Sequence, residues 1–255
     1  MLTMSPTKNI IAVFKREFFS YFNSPLAYII LFIFVIAAMG FTFIVGGFLS
    51  SNNATLSGQG SFFMWHPWIY LVLVPAVGMR LWSEEQRLGT MELLATMPIS
   101  PWHAVLGKYF AAATVWAIGL ALTFPIILTV SYLGEPDPGP IISGYIASYL
   151  YALACLAITS AVSAFTRSQV ICFIISVAIC LLLFLFGFQQ VVDFLLKVTP
   201  ASLDGLVRFI AELCFMTHFY EMSKGLLVFD DVLYFLSVVG VCLGITHYAI
   251  QAKRA

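Results

Sequence analysis

Four histidines, His66, His103, His218 and His247, are the side chains here best suited to ligate a metal or a haem, and their spacing argues against it. Only His218 and Glu221, at i and i+3, would share a helical face, an arrangement that more often marks a hydrogen-bonded surface than a metal site. The five cysteines, Cys155, Cys172, Cys180, Cys214 and Cys242, lie mostly in apolar runs with no Cys-x-x-Cys or Cys/His spacing. They read as small packing residues. No Gly-x-x-x-x-Gly-Lys-Ser/Thr loop is present to cradle nucleotide phosphates, so the chain is not expected to hydrolyse a nucleotide, to be an enzyme or to hold a metal or cofactor.

The stretch richest in chemistry is Ser83 to Pro101, Ser-Glu-Glu-Gln-Arg-Leu-Gly-Thr-Met-Glu-Leu-Leu-Ala-Thr-Met-Pro-Ile-Ser-Pro. Gly89 permits a sharp backbone break, Thr90 is a good N-cap, and Glu92 falls in the first turn, where a carboxylate suits the helix dipole. Pro98 then stops the helix, so Met91 to Met97 makes about two turns, and Ser100-Pro101 repeats the start signal for the next helix. Met91, Leu93, Leu94 and Met97 thus stand beside Glu84, Glu85 and Glu92. Such a helix either docks a partner, its apolar residues filling a cleft and its carboxylates meeting basic groups at the rim, or is a plain connector resting on a membrane surface.

The elements that hold this stretch are set by where charges are missing. The chain is 61% hydrophobic and 9% charged, far below the ~25% charged of soluble domains. No charge falls between Glu17 and Arg80, Lys108 and Glu135, Asp137 and Arg167, Arg167 and Asp193, or Asp231 and Lys253, gaps of 62, 26, 29, 25 and 21 residues. A helix crosses the ~30 Å hydrocarbon core in ~20 residues, and the first gap holds two spans. Six spans are predicted, over about 27–49, 62–81, 101–133 (with Pro125 inside), 141–165, 169–188 and 232–250. The first apolar run is too long for a cleaved signal sequence and stays as a span. Trp65 and Trp68 at one end of the second span and Trp82 at the other look like aromatic belts, and Pro75 is expected to kink it. Residues 189–231, with Asp193, Lys197, Asp204, Arg208 and Glu212 among apolar residues, read as one or two amphipathic helices on or partly in the bilayer.

Ahead of the spans, Lys8 to Phe22 reads as an amphipathic helix in the membrane interface, with Ile10, Ile11, Phe14, Phe18, Tyr21 and Phe22 on one side and Lys8, Lys15, Arg16 and Ser20 elsewhere; a solvated extension is the alternative. Asn23-Ser24-Pro25 breaks it. Six spans put both termini on one side, which carries nine of the basic residues against Lys197, Arg208 and Lys224 on the other, and eight of the twelve acids lie on that other side. The positive-inside rule places both termini in the cytoplasm. The spans lack buried ionisable residues at mid-depth, which a secondary transporter driven by ions would need.

The run Glu85 to Lys108, with Arg-Leu-Gly-Thr-Met-Glu-Leu-Leu, Pro-Ile-Ser and Leu-Gly-Lys, resembles the cytoplasmic loop of type-2 ABC export permeases, and the likeness extends over nearly the whole chain. Lys15-Arg16-Glu17 to Pro25 resembles that family's interfacial elbow helix, and Phe165-Thr-Arg-Ser-Gln169 its turn between spans four and five. His218 to Ser237, with Lys224-Gly225 and Asp231-Val-Leu-Tyr-Phe-Leu-Ser237, looks most like the gliding-motility branch. The resemblance implies a single membrane domain over 1–255, all-α, with an elbow helix at 8–22, a coupling loop at 83–100 and an extracytoplasmic segment at 189–231. It implies a permease in the cell (inner) membrane that pairs with a second permease copy and with ABC ATPase subunits, which would bind the ATP and magnesium, and the gliding-motility branch adds an extracytoplasmic auxiliary subunit. The coupling residues it implies are Glu84, Glu85, Arg87, Gly89, Thr90, Met91, Glu92, Leu93, Leu94, Met97 and Pro98. A membrane anchor or assembly subunit that transports nothing would keep the same spans.

Overall fold

A computed structural model describes residues 6–48, 56, 61–91, 100–134, 136–198, 205, 207 and 211–253, and these are helical throughout apart from turns and short connections. Two helices meet at a corner near the N-terminus. Helix α1 (Pro6–Asn23) ends where expected, and Ser24, in an extended conformation, caps α2 (Pro25–Gly40), which has proline in its first turn. A π-helical turn, Phe41–Val45, prolongs α2. The second span is α3 (Phe62–Gly78) followed, after a break at Met79, by α4 (Arg80–Leu88). The third is α5 (Pro101–Leu122) and α6 (Pro125–Leu133), interrupted where Pro125 can donate no hydrogen bond. Then come α7 (Pro138–Phe165), α8 (Gln169–Leu185), α9 (Gln189–Val198), α10 (Phe215–Ser223) and α11 (Phe229–Ala252).

Five stretches are long and apolar enough to cross a membrane: Pro25–Val45, Phe62–Leu88, Pro101–Leu133, Pro138–Phe165 and Phe229–Ala252. The sixth is made only by counting α8 with α9, which turns away from it by 91°. The expected amphipathic segment thus begins with a sharp corner. Asp193 and Lys197 lie on α9, while Asp204 and Arg208 lie outside the described residues.

The centre of the bundle is α7, packed against α3, α4, α5, α8, α10 and α11. Ala147, Ala152, Ala154, Ala157 and Ala164 are fully buried along it, and such small side chains let neighbouring backbones come close, which is how helices associate where lipid offers no hydrophobic gain. Large exposed apolar residues line the outside, among them Phe32 on α2, Ile174 on α8 and Val241 on α11. A surface of this kind suits lipid as its solvent.

Helix α1 is packed along α5. Val13 is buried in this contact, and of the side expected to be apolar Ile10, Phe14, Phe18, Tyr21 and Phe22 are half-buried while Ile11 is exposed. The contact is made possible by Gly107, where a Cβ would lie 2.7 Å from Val13 Cγ1 and 3.1 Å from the Ile10 carbonyl oxygen. Gly107→Ala is therefore expected to push α1 off α5 at a cost of about 1–3 kcal/mol. Val13→Ala removes the Cγ1 contact but keeps Val13 Cβ at 2.8 Å and the Ile10 carbonyl at 3.1 Å, so the double variant should recover little of that, as read by thermal unfolding in detergent.

Candidate functional site: a charged junction beneath the loop

Lys108 follows Gly107 in α5 and is only 3% exposed. Its ammonium nitrogen lies 3.2 Å from Glu17 Oε2 on α1 and 3.0 Å from Glu85 Oε1 on α4. The same nitrogen stands 5.2 Å from the centre of the Trp82 ring, a cation–π contact. Arg16 adds a second cation, its Nη2 2.6 Å from Glu17 Oε1 and 3.5 Å from Glu85 Oε1. A buried charge survives only if it is paired and hydrogen-bonded, and Lys108, on α5, meets that condition through partners on α1 and α4.

This explains why Glu17 faces inward on α1. Burial by itself would raise its carboxyl, but Lys108 and then Arg16 outweigh that and hold it below its ordinary value of 4.5. A carboxylate with a lowered folded-state pKa adds stability above its unfolded value and loses it as pH falls through the folded one. The α1 junction is accordingly expected to loosen as pH drops below 4.5, measured as faster amide exchange in residues 6–23. Glu17→Gln should remove that pH dependence.

Helix α4 is tied down on its other side by α7. Its first turn follows the break at Met79, and the Ser163 hydroxyl is inserted there: it accepts from the backbone nitrogens of Trp82 and Ser83, each at 3.0 Å, and donates to the Met79 carbonyl at 3.1 Å. Hydroxyls placed in a helical ladder in this way stabilise a bend. Ser83 Oγ also donates to the Met79 carbonyl. Trp82 is fully buried, its indole nitrogen donating to Ser160 Oγ at 3.3 Å, so it is a packing anchor and not part of an interfacial belt. Gln86 donates to the carbonyls of Ser163 (3.0 Å) and Ala164 (2.9 Å), and Lys253, at the end of α11, reaches both Gln86 Oε1 and the Ala164 carbonyl at 2.6 Å.

The sequence-predicted residues divide accordingly. The helix of the second span runs on through Ser83 to Leu88, so Glu84, Glu85 and Arg87 are helical rather than loop residues. Glu84 takes Arg80 in a two-pronged pair at 2.9 and 3.2 Å. Glu85 belongs to the Lys108 cluster, Arg87 is exposed, and Lys15 is exposed on α1. Gly89 ends α4 in the left-handed region (φ 70°), and the Thr90 nitrogen returns to the Glu85 carbonyl at 3.0 Å, the arrangement in which glycine closes a helix. Thr90 is exposed, while Met91 is half-buried against the core. Glu92, Leu93, Leu94, Met97 and Pro98 lie outside the described residues.

The histidine pairing expected from i and i+3 is replaced by two others. His218 Nδ1 lies 2.6 Å from Asp231 Oδ1, its ring stacked on Tyr234, and Glu221 binds Lys224 at 2.8 Å. His66 is fully buried with Nδ1 2.8 Å from Ser148 Oγ. His66 and Lys108 are buried ionisable groups within spans, each met by a partner on another helix, and both stand nearer the start of the span than its middle. Among the described residues no three His, Cys, Asp or Glu side chains come together as a metal site. The cysteines are free thiols, all buried except Cys242.

Sequence reasoning missed Lys108, taking it as the end of a charge-free gap. Its signal was available: a lone cation seven residues after Pro101, set beside Gly107 in an apolar run, is a buried charge in search of a carboxylate.

A family model described as ABC-2 family transporter protein matches residues 11–243. The match covers most of the chain, which belongs to this family and is a multi-pass transmembrane permease of an ABC transporter. A comparison with curated proteins gave no significant match.

Proposed function

We propose that this chain is the permease subunit of an exporter in the inner membrane, that it forms the substrate path with a second permease copy, and that it takes its energy from a separate ATPase subunit. The family to which it belongs implies the ATPase partner and the bilayer. The observation that carries the coupling role is the brace on α4: Glu85 is held by Lys108 of α5 and Arg16 of α1, four residues before the chain leaves α4 at Gly89. A push on the segment that follows is therefore delivered to two spans and the N-terminal helix together. In this reading Thr90 to Met97 is the coupling helix that enters the ATPase, and α1, with Lys15, Arg16 and Glu17, is the interfacial elbow.

Both termini face the cytoplasm, as the basic residues direct. The His218 to Ser237 motifs favour the gliding-motility branch, and α9 and α10 then lie on the outer side, where an auxiliary subunit would sit. A membrane anchor without transport remains the second reading, since it needs the same spans. Reconstituted with its ATPase in vesicles, a coupled permease makes ATP hydrolysis depend on an intact 83–100 loop, whereas an anchor leaves hydrolysis unchanged when that loop is altered.

A further inference from the structure

Beside the Lys108 cluster, between α1, the start of α2, α4 and α5, the fold leaves an open cavity of about 640 Å³. That volume falls within the ~300–1,000 Å³ of small-molecule sites. Its charged lining is balanced: Arg16, Arg80 and Lys108 against Glu17, Glu84 and Glu85. The internal pairs do not exhaust these groups. Glu85 places Oε1 on Lys108 and Arg16, but its Oε2 is buried without a hydrogen-bond partner. An unmatched buried carboxylate oxygen is costly and calls for a donor. Arg80 uses only Nε and Nη2 on Glu84, and Arg16 is half-exposed, so guanidinium surface also faces the cavity.

The Glu85 carboxylate thus lines the site with one oxygen unmatched beneath its surface, beside unspent cationic surface, within a neutral whole. It suits a ligand that carries an N–H-bearing ammonium and a phosphate on one short backbone. A bare anion would leave Glu85 Oε2 unmatched. The cavity is also lined by Asn23 and Ser24, at the corner where the chain turns from α1 into its first span. Phe19 on α1 and Tyr28 and Phe32 on α2 are exposed apolar residues on the two helices that meet there, ready to lie along acyl chains. We propose that this cavity binds the phosphoethanolamine headgroup of a phosphatidylethanolamine from the adjoining leaflet, its ammonium donating to the Glu85 carboxylate as that side chain turns Oε2 outward, and its phosphate held by Arg80 and Arg16.

The proposal rests on the membrane placement of the chain and not on its ATPase. The purified full chain, delipidated in detergent, is titrated with phosphatidylethanolamine, phosphatidylcholine and phosphatidylglycerol of identical acyl chains, and binding is read by native mass spectrometry. Phosphatidylethanolamine is expected to bind about tenfold more tightly than the other two, since choline has no N–H and phosphoglycerol has no cation. Glu85→Gln should erase that preference. Arg80→Gln, at a half-exposed position whose loss leaves the Lys108 cluster intact, should weaken phosphatidylethanolamine binding and keeps the test open if the Glu85 variant fails to fold. Equal retention of the three lipids, or a preference untouched by both variants, overturns the proposal. Soluble glycerophosphoethanolamine is the last arm: displacement of the lipid at equimolar concentration would assign the cavity to a soluble phosphoamine and overturn the lipid as its occupant.

Discussion

Lys108→Met is expected to destabilise the folded chain by about 2–4 kcal/mol, because removing one member of a buried ion cluster leaves the others desolvated and unpaired. The variant keeps the volume of the side chain and its contact with Trp82, so what it tests is charge. Glu17 and Glu85 would then face each other across the α1–α4 contact, with Arg16 as the remaining cation. Arg16 is 52% exposed, and a half-hydrated guanidinium compensates weakly. Lys108→Met with Glu85→Gln removes one charge of each sign and is expected to regain at least half of the loss. Thermal unfolding of the four proteins (wild type, both single variants and the double variant) in one detergent gives the coupling directly. If the double variant loses the sum of what the two single variants lose, Lys108 and Glu85 act independently and the brace does not exist.

On the proposed coupling role, Glu92→Lys and Leu94→Asp are expected to abolish association with the ATPase while leaving the unfolding temperature within about a degree of wild type, as a docking defect without a folding defect requires. If Thr90 to Met97 docks as proposed, Leu94→Asp would put a carboxylate into the partner's apolar cleft and Glu92→Lys would set a cation against its basic rim. An interface anchor lost in this way typically costs at least ~2 kcal/mol, enough to shift a complex of moderate affinity towards its free subunits. Co-purification of tagged permease with its ATPase reads the result. Two distinct outcomes separate a docking defect from a folding defect: loss of the ATPase at unchanged thermal stability, or loss of both together.

Much of the fold was legible because a bilayer imposes a coarse rule. Charge-free gaps of 21 to 62 residues have few alternatives to spanning helices. Local punctuation was legible for the same reason that it works, by acting within a few residues: Ser24-Pro25 starts α2, Pro101 starts α5, and Gly89 closes α4 in the left-handed region that few other residues adopt. The junction was not legible. Glu17, Glu85 and Lys108 are far apart in the chain, and no periodicity joins them. Their meeting depends on Gly107 admitting Val13, a contact fixed by tertiary packing. Trp82 was misread for a like reason, since the Ser160 and Ser163 hydroxyls that hold α4 in the bundle lie about 80 residues later on α7. The corner between α8 and α9 likewise follows from how residues 186–188 turn, which apolar composition does not encode.

What the segment after Gly89 touches decides between a coupling helix and a connector. A photo-crosslinking amino acid at Leu94, activated in the intact membrane complex and followed by mass spectrometry of the adduct, identifies that neighbour directly. The coupling reading predicts adducts with an ATP-binding subunit that carries the phosphate-binding loop this chain lacks, at a yield that changes when ATP is added. Adducts confined to lipid or to this chain itself would contradict it and would make the loop a connector resting on the membrane.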